Sequence, residues 1–159
     1  MSFDDWILSF HVLSAAALVA SFVVFWVLIY AVRRTDLPEV VTRMGPVGLI
    51  GNAAAIIGSI GTIFFGVWLA LSVGGYDLWD GWILLAIVLW VIGVAAGQRS
   101  GQEYLQGVKK AQELMASNQT GPSAELQTLN RTQRGLTLQL VSSAATLLIL
   151  IDMIWKPGA

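Results

Sequence analysis

Residues 6–34 read WILSFHVLSAAALVASFVVFWVLIYAVRR. No Asp, Glu, Lys or Arg interrupts positions 6–32, and the run closes on Arg33 and Arg34. A helix needs ~20 predominantly apolar residues to cross ~30 Å of hydrocarbon, and this stretch exceeds that. It opens on Trp6 and ends on paired guanidinium groups, side chains suited to the two edges of a bilayer. Three further runs have the same character, at about 47–73, 81–98 and 136–155. In lipid, backbone polar groups must be satisfied inside the segment, and the alternation of a barrel strand is absent, so each run is predicted to be a helix. The expected fold is all-α, a transmembrane four-helix bundle forming one integral membrane domain over residues 1–159.

Composition points the same way. Of the 159 residues, 56% are apolar and 12% charged, against about a quarter charged in soluble domains. The net charge of −1 hides a segregation of sign along the chain, and it leaves no basic footprint for nucleic acid. With no cysteine, disulfides, thiolate zinc sites, cysteine-held iron–sulfur clusters and covalently attached haem are excluded. The acidic start, with Asp4 and Asp5, lacks the basic region of a cleaved signal peptide, so none is expected.

Orientation follows from the basic residues. Eight of the nine occupy two segments: Arg33, Arg34 and Arg43, then Arg99, Lys109, Lys110, Arg131 and Arg134. Those segments are expected in the cytoplasm, which places both termini on the non-cytoplasmic side of the membrane. Asp4, Asp5, Asp77, Asp80 and the tail from Lys156 to Ala159 then lie outside, with Trp6, Trp79, Trp82 and Trp155 at interfacial depth.

The connection at about 99–134 is too long for a simple loop. Tyr104, Leu105, Val108, Ala111 and Met115 recur at helical spacing, as do Leu126, Leu129, Gln133, Leu136 and Leu140, with turn chemistry at 120–123 between them. Helices three and four are predicted to continue as a cytoplasmic helical hairpin with arms of ~15 residues, ~22 Å each. The alternative is an amphipathic segment lying on the headgroups.

Polar groups inside the spans are few: His11, Asn52, Gln139 and Asp152. Each is costly in hydrocarbon and calls for a functional or structural account. His11 lies ~7 Å below the outer interface, and Asp152 sits at a comparable depth on the last helix. The two could meet as a proton relay, as a metal ligand with its carboxylate, or around a haem iron. A purely structural role for Asp152 is an i,i+4 pair with Lys156 that lets both reach the interface. One histidine supplies only one axial haem ligand, and Met153 is the only methionine near the right depth. Asn52 and Gln139 are expected to hydrogen-bond across the bundle.

The second helix carries Ala54, Gly58, Thr62 and Gly66 every four residues, widened by Gly51, and Gly93 and Gly97 repeat the device on the third. Such stripes allow close helix packing or the docking of a partner, and a flat cofactor laid against the stripe is the competing reading. No phosphate-binding loop, nucleophile elbow or paired histidines at metal-ligand spacing is present.

With His11 near the start of the first helix, the aliphatic run ending in Arg33-Arg34 and the closing Lys156-Pro157, the chain resembles a family of uncharacterised bacterial four-helix integral membrane proteins. That family is distantly similar to the copper-resistance D proteins and the haem-associated protoporphyrinogen oxidases. The resemblance implies a plasma-membrane bundle in which His11 is a haem or metal ligand. Where that group commonly carries a Trp or a Gly pair after the histidine, this chain has Ser14-Ala15-Ala16-Ala17-Leu18-Val19.

Two functions are therefore expected in turn. The first is a non-catalytic membrane subunit or packing partner, embedded in the lipid bilayer beside other membrane subunits or copies of itself. The second is a haem or metal protein using His11, with Asp152 as a further metal ligand. A small transporter acting as an oligomer is a third reading, because few buried polar groups line a path through four helices.

Overall fold

The computed structural model describes residues 2–72 and 77–156. The end of the second apolar run, part of the following turn and the tail beyond Lys156 lie outside the described residues. Five helices follow one another: α1 (Phe3–Val32), α2 (Pro38–Ser72), α3 (Gly81–Ala116), α4 (Ala124–Asn130) and α5 (Gln133–Trp155), and there is no strand among the described residues. Four passages of the chain are helical, long and apolar enough to cross a membrane: α1, α2, α3 and the combined α4–α5 segment.

Local chemistry sets the helix ends. Ser2 caps α1 with a reciprocal box, its hydroxyl accepting from Asp5 N at 3.2 Å while its own N–H donates to Asp5 Oδ2 at 2.6 Å. Pro38 opens α2, where its missing N–H and fixed φ cost nothing. Asn118, at φ 58°, ends α3. Its N–H reaches Met115 O and the next one, Gln119 N, reaches Leu114 O at 2.9 Å, which satisfies the last carbonyls of the helix.

The helices form a ring in the order α1, α2, α3, α5. α1 packs most extensively on α2 and α3 on α5, α2 bridges to α3, and of these neighbouring pairs α1 and α5 touch least. At Gly58 the backbones of α1 and α2 meet: a Cβ there would lie 2.6 Å from Leu18 N and 2.8 Å from Ser14 O. Large apolar side chains point outward, with Ile50, Ile57 and Leu71 about seven-tenths exposed, while Ser21 and Ser142 are almost wholly buried. A soluble protein of this size buries the former and exposes the latter, so the distribution belongs to a chain solvated by hydrocarbon.

Polar side chains join the buried seams. Ser142 Oγ donates to Gly93 O at 2.7 Å and Ser100 Oγ to Gly135 O at 3.1 Å, tying α5 to α3. Trp90 Nε1 donates to Ser59 Oγ (2.9 Å) between α3 and α2, and Trp26 Nε1 to Ser143 Oγ (3.0 Å) between α1 and α5. Asn52, expected to bond across the bundle, is instead exposed. Gln139 is 2% exposed, yet its Nε2 has no hydrogen-bond partner among the described residues.

α2 and α3, of 35 and 36 residues, are ~50 Å long. They outreach the ~30 Å of hydrocarbon by ~20 Å, and the surplus falls at one end of the bundle. There Leu28, Val32, Val41, Tyr104, Val108, Ala111, Leu114 and Leu126 form an apolar core of their own. Ser123 N donates to Asp36 O at 3.0 Å, fastening the α3–α4 turn to the α1–α2 loop. The returning arm differs from the continuous helix expected. It breaks at Arg131 and Thr132, where the Thr132 hydroxyl donates to Leu129 O at 2.8 Å, a local side-chain bond that competes with helix continuation. Arg33 Nη1 donates to Thr132 O and Arg131 Nε to Arg33 O across the break, at 3.1 and 3.3 Å.

Candidate functional site

At the opposite end, where α1 begins and α5 finishes, the ring opens into a cavity of about 520 Å³. Its position follows from the packing. Trp26 and Ser143 hold α1 and α5 together near the middle of the bundle, whereas toward the termini no comparable bond joins them among the described residues. Ala15, Leu18, Ile63, Ala86, Ile87 and Leu150 represent the walls, which come from all four long helices and are almost wholly apolar. Asp4, Asp5 and Lys156 stand at the mouth, and His11 and Met153 line the interior.

His11 is placed by α2. Its Nδ1 lies 3.0 Å from Thr62 O. A carbonyl only accepts, so the proton is on Nδ1, and in the neutral ring Nε2 keeps its lone pair. Gly66 makes room for the ring: a Cβ there would come within 3.0 Å of His11 Cε1. Thr62 in turn gives its hydroxyl to Gly58 O at 2.7 Å. His11 and Gly66 lie fifty-five positions apart on different helices, and the structure makes the glycine the socket of the histidine.

Asp152 makes no hydrogen bond to His11. It is 5% exposed, on the buried face that α5 shares with Ala145, and neither carboxylate oxygen has a hydrogen-bond partner among the described residues. No i,i+4 ion pair ties it to Lys156 among those residues either. The Lys156 ammonium lies over the Trp82 ring, 5.5 Å from its centroid. No group of three His, Cys, Asp or Glu side chains able to hold a metal occurs among the described residues.

The remaining predicted positions serve the interior of the chain. Gly51 faces Val24 Cγ1, where a Cβ would approach to 3.0 Å, and Gly58 faces the α1 backbone. Gly93 and Gly97 face Ala145 and Ser142 of α5. Ala54 is half-buried on the same helix as Gly58. Sequence reading missed the tryptophan and serine pairs that fix where the cavity begins. The signal was an indole N–H and a hydroxyl inside apolar runs, each of which needs a partner in lipid.

Compared with known protein families, with curated proteins and with solved structures, the chain finds no match.

Proposed function

We propose that the chain is a multi-pass protein of a bacterial plasma membrane, non-catalytic in itself, that binds a lipophilic guest in the cavity between its helices. The cavity carries the reading. At about 520 Å³ it falls within the ~300–1,000 Å³ typical of ligand sites, and it has the apolar walls and few polar groups of such sites. The surplus ends of α2 and α3, with Arg43, Lys109 and Lys110, and the α4–α5 break with Arg131 and Arg134 gather basic residues at one end. By the positive-inside preference that end is cytoplasmic and both termini are outside. Partner subunits or a second copy would have to use faces other than Gly58, Gly93 and Gly97, which α1 and α5 cover.

Diphenylhexatriene, a neutral apolar rod, tests the cavity. Protein in mild detergent should take up one equivalent saturably, read by energy transfer from tryptophan. Ala15→Trp, which fills the cavity, should abolish that uptake while helicity and elution volume are unchanged. Uptake identical in both proteins would overturn the reading.

A second function has a specific observation in its favour: His11 and Met153 line the same cavity. The donor types fit a haem iron held by histidine and methionine, with the Thr62 carbonyl fixing the ring so that Nε2 is the ligand. Such a haem would supply one-electron transfer. The chain's own part would be to hold the imidazole and exclude water. A Soret band in purified protein, lost in His11→Ala, would support this reading, and a colourless preparation after growth with added haem precursor would remove it.

A further inference from the structure

The cavity's mouth is charged although its walls are not, and that contrast says what the guest is. Asp4 and Asp5 come from the first turn of α1 and Lys156 from the end of α5, so two carboxylates and one ammonium surround the opening. A neutral ring or hydrocarbon gains nothing from such a rim. An anionic headgroup meets an excess of negative charge. A headgroup carrying both a primary ammonium and a phosphate finds a partner for each.

The shape of the space agrees. It runs along α1 from Asp4 to Leu18, ~20 Å at 1.5 Å per residue, which is the form of an extended acyl chain and not of a compact solute. All four long helices line it, and of the neighbouring pairs around the ring α1 and α5 touch least, with the Trp26–Ser143 bond marking where they come together toward the middle of the bundle. A two-chain lipid can therefore put one chain inside and leave the other in the bilayer without unpacking a helix pair.

We infer that the guest is a zwitterionic phospholipid of the phosphatidylethanolamine class, entering sideways between α1 and α5. One acyl chain fills the cavity, the ammonium lies against Asp4 and Asp5, and the phosphate lies toward Lys156. The inference rests on the cavity being a binding site at all, and it adds the chemical class of what binds.

Native mass spectrometry of the full chain in mild detergent, titrated with phosphatidylethanolamine or phosphatidylglycerol of identical chains, tests it. One headgroup charge near a membrane surface changes affinity about fivefold, so the first lipid should bind about fivefold more tightly than the second. In the Asp4→Asn, Asp5→Asn protein Lys156 is the remaining rim charge, so phosphatidylglycerol should bind at least as tightly as phosphatidylethanolamine. Ala15→Trp should lose both lipids. Equal affinities in the native protein, or a preference that survives the double substitution, would overturn the headgroup assignment and leave the cavity as a binding site. Unchanged binding of both lipids in Ala15→Trp would overturn the site itself.

Discussion

Glycine is the residue on which the bundle's closest contact turns, and its neighbours decide what a substitution does. Gly58 has the α1 backbone at Leu18 and Ser14 where a Cβ would go, whereas Gly101 has nothing within 4 Å. Gly58→Ala must push two helices apart, because backbone atoms have no rotamer with which to yield. It should cost ~1–3 kcal/mol, the usual range for overpacking. Gly101→Ala, half-buried but with open space where the methyl would go, should stabilise by ~0.5–1 kcal/mol through the entropy of the unfolded chain. Unfolding of both proteins in mixed micelles with increasing SDS measures the pair, and a Gly58→Ala protein as stable as the parent would mean that the α1–α2 contact is looser than drawn. The stripe of small residues was visible in the sequence. Which glycine met backbone, which met His11 and which met nothing was not, because spacing gives the face of a helix but not its partner.

Among the elements, the extension of α3 and the short α4 behave differently from the spans. Their core is organised as in a water-soluble domain, with Val41, Ala111 and Leu126 fully enclosed and charged side chains on the outside. Lys110 Nζ bridges Glu125 at 3.0 Å from α3 to α4, and Arg134 reaches Glu103 at 3.6 Å. Surface ion pairs of this kind contribute little, so the apolar contacts hold the hairpin. Leu126→Ala should therefore cost ~2–5 kcal/mol locally. Amide exchange should rise through Ala124–Asn130 and the Arg131–Thr132 break, while α1 and α2 in the membrane stay protected. Uniform exchange along the whole chain would show that the hairpin is not a separate unit. The helical period in this segment was legible, but the break within its returning arm was not. It depends on Thr132 bonding back to Leu129 and on Arg33 arriving from ninety-nine residues earlier in the chain, a contact that no local pattern encodes.

At the scale of the whole molecule, the absence of cysteine offers a direct measurement of how the chain sits. Single cysteines at exposed positions of opposite ends, Asp77→Cys and Thr120→Cys, should respond oppositely to a membrane-impermeant maleimide. Intact cells should label the first, and the second should label only after the membrane is opened. The reverse pattern would invert the proposed topology and move the cavity's mouth to the cytoplasm.

Length and hydropathy were enough, without any tertiary contact, to determine that four passages of this chain are helices of membrane-crossing length. The reason is that lipid offers the backbone no outside hydrogen-bond partner, so an uncharged apolar run of that length has one regular state open to it. Tertiary structure alone decided the rest: that the four long helices enclose a cavity toward the termini, that His11 is held by Thr62 within it, and that Asp152 is buried outside its lining. Hydrophobicity is nearly uniform around α1 and α2, so it does not choose their neighbours. Shape does, through a glycine opposite a backbone and a tryptophan opposite a serine.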